Sequence, residues 1–412
     1  MDQSATDPGG TTTRLPLSGL RIIECASFVA GPSGCLTLGQ LGADVIRVDP
    51  LGGAADYHRW PVSTRTGGSL YWTALNKAKR SVAVNLRSAE GRELVVGLVT
   101  APGADGGLLV DNSVGRPWLG YEALSARRAD VIQIHIQGYA DGRPAVDYTV
   151  NPEVGVPWIT GPVDMADPVN HVLPAWDLLT GMTAVTGLLA ALHNRERTGV
   201  GQYIEIALAD VALAGVASMG WLAEADEQGN RPRHGNQVYG SFGVDFATSD
   251  GERVMVVALT VRQWEALRAV TNTSRVFSAL EDALDVDLSI ETDRYQLRET
   301  IAAVLRPWFA ARTFLDVSRE LDAAQVLWSR YRSMREVVAE FRKDEAPSVL
   351  ADVEQPGIGE VVSHRSPLRL GVDYGETAVA SDLGQDTDEV LAEVLGLSDA
   401  ELGGLHERGV LA

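Results

Sequence analysis

Short apolar runs recur through the first half of the chain, and a segment with helical spacing separates each from the next. LRIIEC (20–25), DVIRVDP (44–50), SVAVNL (81–86), GLLVDN (107–112) and VIQIHIQGY (131–139) read as strands. FVAGPSGCLTLGQLGA (28–43), SAEGRELVVGLV (88–99) and a segment near 121–129 read as the helices between them. Strands alternating with helices of this length predict βαβ units, hence a parallel sheet covered on both faces. Ligands of such sheets lie at the C-terminal ends of the strands.

Residues 140–176 are rich in Pro and Gly and predict loops. LLTGMTAVTGLLAALHNRER (178–197) predicts a helix closed by Thr198 and Gly199, followed by the strand YIEIAL (203–208) and a small-residue helix. The character changes near 225, where EQGNRPRHGNQ reads as a linker. The expected organisation is a loose tail at 1–15, a large domain over 16–225, a smaller α+β domain at 226–330, and a return to the large domain over 331–412.

The 412 residues carry a formal net charge of −20. That argues against nucleic acid or an anionic membrane as partner, since both require a basic face. An anionic ligand would need positive charge concentrated locally. The two cysteines, Cys25 and Cys35, lack a CxxC partner and read as core thiols. There is no secretory signal and no apolar run approaching the ~20 residues of a membrane span, so the cytoplasm is the expected compartment. Walker, GxSxG, HExxH and GxGxxG patterns are absent, and the seven histidines show no metal-ligand spacing. No metal is expected.

The most informative stretch runs from Val146 to Leu208. It contains VDYTVNPEVGVPWITG, then HVLPAWDLLTGMTAVTGLLAALHNRERTGVGQYIEIAL. Thr160–Gly161, Asp177 before Thr180–Met182, and Arg195 through Gln202 resemble the motifs of the family III CoA-transferases, the CaiB/BaiF family. LSGLRIIECASFVAGPSGCLTLGQLGADVIRVDP, LYWTALNKAKRSVAVNL and GQDTDEVLAEVLGLSDAELGGLHERGV resemble its other signatures, so the likeness covers nearly the whole chain. Within the family, DYTVNPEVGVPWITGPV, NHVLPAWD and DYHRWPV are similar to members that move CoA between the two carboxyls of one branched unsaturated diacid.

The resemblance implies a Rossmann-like α/β large domain with a parallel sheet, a smaller α+β domain and an interlocked homodimer. It implies an acyl-CoA substrate and no cofactor beyond the CoA that the substrate carries. Asp177 becomes the nucleophile that accepts the acyl group and then CoA. Asp177 stands just before the predicted helix, where the dipole favours an anion, so it is expected to stay ionised; the same place suits an ordinary N-cap. Ala30, Gly31, Arg87, Asn112 and Arg116 match CoA-binding positions, with Lys77, Lys79 and Arg80 as a further basic cluster. Trp60 and Asp147 match acyl-pocket positions, and Arg59 or His171 would hold the free carboxylate. HGNQVYGSFG (234–243) stands where a glycine loop would offer amides to an oxyanion, or is a plain linker turn. Three alternatives remain: an intermolecular transferase drawing on succinyl-CoA, an α-methylacyl-CoA racemase, and a non-catalytic CoA binder. The racemases need a histidine near Val146, and valine is no base.

Overall fold

β-Branched residues dominate the apolar runs, and burial on both sides turns them into a parallel sheet. Its strands are β1 (Arg21–Cys25), β2 (Asp44–Pro50), β3 (Arg80–Val84), β4 (Leu108–Asp111), β5 (Ile132–Gln137) and β6 (Gln202–Ala207). They lie in the order β3-β2-β1-β4-β5-β6, with Ile22 of β1 level with Val45 on one side and Leu108 on the other. This is the doubly wound Rossmann order, and it reverses between β1 and β4, where such sheets open a ligand crevice. The computed structural model describes residues 4–6, 12–371 and 373–412. Of the expected tail, 1–3 and 7–11 lie outside the described residues, while Ser4–Thr6 pairs with Thr12–Arg14.

The helices of interest are α1 (Ala30–Gln40), α2 (Leu70–Asn76), α3 (Ala89–Thr100), α4 (Asp147–Glu153), α5 (Ala175–Thr198) and α6 (Leu208–Ser218). Successive strand residues face opposite ways. Ile23, Val48, Val82, Val84 and Leu109 pack with Val95 and Val99 of α3. Val390, Leu391, Leu402 and Leu405, from the last two helices, complete that layer. Ile22, Val45, Leu108, Ile132 and Ile134 pack on the other face with Cys35 and Leu38 of α1 and Ala184 and Leu188 of α5. Each such side chain contributes about 1.5–3 kcal/mol. The C-terminal segment is therefore part of the core of this unit, which comprises 1–154, 172–223 and 344–412.

The second unit comprises Gly155–His171 and Glu224–Lys343. Its three antiparallel strands are β7 (Phe242–Ala247), β8 (Arg253–Ala258) and β9 (Leu327–Arg330), in the order β9-β8-β7, over a core that includes Phe242, Trp264, Phe277 and Phe309. Segment 155–171, which reads in sequence as part of the large domain, folds with this unit. The buried Arg233 gathers it by donating to the carbonyls of Trp158 (3.1 Å), Asp167 (2.6 Å) and Met165.

Two expectations change. Helix α5 is, by length and composition, long and apolar enough to cross a membrane, which the sequence reading did not foresee; here its apolar face lies against α1 and the sheet. The small-residue helix after β6 breaks at Gly220, whose φ of +74° suits glycine, and resumes at Trp221.

Charged groups are buried beneath the strand ends. Glu24 of β1 stands level with Arg47 of β2, 3.6 Å apart. Arg47 also meets Asp49 at 2.8 Å and Asp56 at 3.1 Å, and donates to the Asn76 side-chain Oδ1 at 2.9 Å. Lys79 meets Glu24 at 2.7 Å and donates to the Pro32 carbonyl at 3.0 Å. Removing one ion from such a set strands its partners in a low dielectric. Arg47→Ala is expected to cost about 3–5 kcal/mol, read as a lowered urea midpoint; an unchanged midpoint would show that the set does not hold the fold.

Candidate active site

Two glycines let α1 and α5 meet backbone to backbone. A Cβ at Gly34 would lie 2.8 Å from the Gly181 carbonyl, and one at Gly181 would lie 2.7 Å from the Ala30 carbonyl and collide with Ser33 Oγ. Asp177 sits one turn before Gly181 on the same face of α5, toward the start of α1.

Helix α5 begins after Pro174, which has no side-chain acceptor to cap it. Asp147 of α4 supplies the cap from 30 residues upstream: its Oδ2 accepts the amides of Trp176 at 2.7 Å and Asp177 at 3.2 Å. Asn151, one turn along α4, accepts the Trp176 indole N–H at 3.0 Å. Asp147 and Asn151 are both buried, so α4 is fastened to the start of α5 by one face.

This corrects the reading of Asp177. It is the third residue of the helix, not the one before it, and the carboxylate that receives the free amides is Asp147. Asp177 is half-buried, and its pKa is pushed up to about 7, first by burial and then by the negative charge of Asp147, with Arg59 opposing. Near neutral pH it is divided between carboxylic acid and carboxylate, and its carboxylate is a stronger base than an ordinary aspartate.

Arg59 reaches this site from the loop between β2 and α2. Ser69 Oγ donates to the Arg59 carbonyl at 2.6 Å and caps α2 by accepting the Trp72 amide at 3.0 Å. The guanidinium is exposed, lies over the rings of Phe28 (5.4 Å) and Tyr71 (5.3 Å), and forms no salt bridge among the described residues. Burial lifts the Tyr71 phenol to about 12, with Arg59 opposing and Asp56 and Asp177 adding to the rise. Phe28 has a left-handed φ of +69°, and its amide donates to Asp56 at 2.8 Å. Such strain costs about 1–3 kcal/mol and persists where the surroundings enforce it; here Arg47 holds Asp56.

Ala30 and Gly31 form the first turn of α1, beyond the end of β1. A Cβ on Gly31 would collide with that of Ala26. Asn112, just past β4, accepts from the Ser27 amide at 3.2 Å and donates to its carbonyl at 3.0 Å, joining the two banks of the crevice. Arg116 follows on the β4 side, donating to Ser113 Oγ at 3.3 Å. These four residues gather at the β1–β4 opening. Arg87 does not: it follows β3, with β2 and β1 between that strand and β4, and its side chain is exposed.

The further basic cluster is consumed by the fold. Lys79 pairs with Glu24; Lys77 is buried against Ser363 and the His364 carbonyl, both at 2.8 Å; Arg80 pairs with Asp44 and Glu393. Asp147, expected in the acyl pocket, is 1% exposed and turned to the α5 amides. Trp60 is 75% exposed beside Arg59. His171 and the 234–243 loop belong to the second unit, where His234 bonds Tyr295 at 2.6 Å. Sequence reasoning missed Asn151, Tyr71 and Phe28. The i, i+4 spacing of Asp147 and Asn151 was a visible signal for the first; a left-handed phenylalanine has none.

Residues 17–387 match the profile of CoA-transferase family III. The chain is 48% identical to the 2-methylfumaryl-CoA isomerase of Chloroflexus aurantiacus, over 96% of this chain and 98% of that one. It is 29% identical to the succinyl-CoA:mesaconate CoA-transferase of Haloarcula marismortui, over 86% and 90%. A CaiB/BaiF family protein from Brucella suis has a similar structure, with a TM-score of 0.73 at 25% identity, over 93% of this chain and 100% of that one.

A reaction that needs the Asp177 carboxylate has a defined acid limit. Since the pKa is raised to about 7, protonation removes the nucleophile below that pH. A plot of kcat/KM against pH is expected to fall about tenfold per unit below about pH 7; a flat profile down to pH 5 would exclude this ionisation.

Proposed function

Because the chain belongs to CoA-transferase family III, we propose that it moves CoA from one carboxyl of a branched unsaturated diacid to the other within one molecule, converting 2-methylfumaryl-CoA to 3-methylfumaryl-CoA. The observation that carries this reading is the half-buried Asp177 carboxyl coupled to an unpaired guanidinium, Arg59, in a chain so similar to a 2-methylfumaryl-CoA isomerase.

The Asp177 carboxylate attacks the thioester carbonyl. The C–S bond breaks, and CoA thiolate leaves an aspartyl mixed anhydride. The thiolate attacks the Asp177 acyl carbon, releasing the diacid carboxylate and leaving an aspartyl-CoA thioester. The diacid's other carboxylate then attacks that thioester, expelling CoA thiolate, which closes on the new acyl carbon and frees Asp177. No oxidant, reductant or external proton donor is needed. Over the whole sequence one thioester and one carboxylate exchange places, so the overall reaction is close to energetically balanced.

Arg59 holds the carboxylate that is not reacting: it is exposed, its charge is not neutralised by a bonded acid, and two rings limit its motion. Ala30, Gly31, Asn112 and Arg116 at the crevice contact CoA, while Trp60 borders the acyl group. The protein works in the cytoplasm as an interlocked homodimer. Leu179 and Met182 on α5 and Leu213 on α6 support a dimer, being large apolar side chains left exposed.

The deciding assay supplies 2-methylfumaryl-CoA alone. Isomerisation without added acid supports this reading; strict dependence on a second acid would replace it with intermolecular transfer. Asp177→Ala and Asp177→Asn are expected to lose at least about 10³-fold in kcat, and full activity in Asp177→Ala would overturn the mechanism. During wild-type turnover, borohydride or hydroxylamine should trap Asp177, which a CoA binder would not allow.

Arg59→Met should raise KM about 10–100-fold, as expected for a lost charge-assisted carboxylate contact. Asp177 trapping should persist at saturating substrate. A KM equal to wild type would remove Arg59 from substrate binding.

A further inference from the structure

We infer that Asp147 is a positioning residue for the reaction: its carboxylate seats the first turn of α5 and so fixes and activates Asp177, without itself touching substrate. The inference rests on the CoA-transfer reading, which assigns Asp177 the nucleophilic role.

The argument begins with helix physics. An α-helix starts with amides that have no internal partner. The usual remedy is a local Ser, Thr, Asp or Asn at the N-cap. Helix α5 has Pro174 there instead. Two of its free amides, those of Trp176 and of Asp177 itself, are taken by one oxygen of Asp147. The nucleophile's own backbone is thus tied to a second carboxylate, which fixes the point from which its side chain projects. Asn151 holds the neighbouring indole from the same face of α4, so the connection is a two-point clamp.

The location of Asp147 separates this role from substrate contact. It is 1% exposed, whereas Asp177 is only half-buried. A neutral Ser, Thr or Asn cap would also serve the helix, but it would not place a negative charge beside the nucleophile. Three other groups bear on Asp177 or its surroundings: Arg59 from the loop before α2, Tyr71 from α2, and Tyr148, which follows Asp147 and donates to the Val172 carbonyl at 3.2 Å. Of the charges acting directly on Asp177, Asp147 raises its basicity and Arg59 lowers it. A more basic carboxylate is the better nucleophile toward a thioester, provided that it is deprotonated. Asp147 therefore trades activity in acid for a faster reaction above neutrality.

Two variants of the full-length protein divide the role. Asp147→Asn keeps an oxygen that can accept both amides but removes the charge. Its acid limb in kcat/KM should move down by about one pH unit, and its plateau kcat should fall about 3–10-fold. Asp147→Ala removes the cap as well, and its kcat should fall about tenfold further, with KM changed less than threefold. The rate at which a water-soluble carbodiimide labels Asp177, followed by peptide mass against pH, reads the same ionisation without turnover. Its midpoint should move with the limb.

An Asp147→Asn protein with the wild-type limb and labelling midpoint overturns the activating role. An Asp147→Ala protein with wild-type kcat overturns the positioning role, and if that variant does not fold, Asp147→Asn alone decides. Failure of the functional reading looks different: wild-type protein then gives neither acceptor-free isomerisation nor a trapped Asp177, while the labelling midpoints still report on the Asp147–Asp177 pair.

Discussion

Five charged side chains shut away from water beneath the sheet's carboxyl edge fix what lies above them. Glu24, Arg47, Asp49, Asp56 and Lys79 come from β1, β2, the following loop and the residue just before β3. A set of this kind is a weak source of net stability, because desolvation consumes most of the Coulombic gain. Its effect is on geometry. Each charge is tolerable only with its partners in place, so neighbouring strands and loops are held in one arrangement. Through Asp56 the set holds the strained Phe28, and through Lys79 it holds the Pro32 carbonyl. The turn between β1 and α1 is pinned from both ends.

That turn is where the chemistry gathers. Phe28 supports the Arg59 guanidinium, and Ala30 and Gly34 receive Gly181 from α5. Asp147 then fastens the free end of α5. The site is consequently built on a helix held at its first turn by a carboxylate and at its second by glycine contact. The raised pKa of Asp177 follows from the same construction. A carboxyl that must be partly dry to exclude water, and must sit beside a capping carboxylate, cannot keep the acidity of a solvated aspartate.

Much of this was legible in sequence, and the exceptions have physical causes. The apolar Val45, Ile46 and Val48 located β2 at 44–50 to the residue, although its Arg47 and Asp49 are charged and buried. Asp177 was singled out by its motif, not by its environment. Its ionisation was misread because the dipole argument assumed that it had the helix amides to itself. The competitor lies 30 residues away, and no local pattern announces a tertiary cap. Lys77, Lys79 and Arg80 looked like a phosphate site because charge is visible in sequence, whereas burial against Glu24, Asp44 or Ser363 is not. Segment 155–171 was assigned by chain continuity, yet Arg233 draws it into the other unit through backbone carbonyls, which every sequence has.

An acidic chain that handles an anionic coenzyme raises a question that the pairing pattern answers. With a net charge of −20, long-range steering opposes CoA. What matters at contact is the charge left free within a Debye length of about 8–10 Å. Arg47, Lys79 and Arg80 are neutralised by carboxylates. Among the described residues, Arg116 donates to a hydroxyl, Arg59 lies over aromatic faces near Asp177, and Arg87 is exposed with no ion pair. At the strands' carboxyl ends the positive charge available to a ligand is thus carried by a few arginines, in a chain whose net charge repels anions. Binding such a ligand depends on short-range contacts that salt screens weakly, so a modest salt dependence is the physical consequence of this distribution, in contrast to the steep one of a basic nucleotide-binding face.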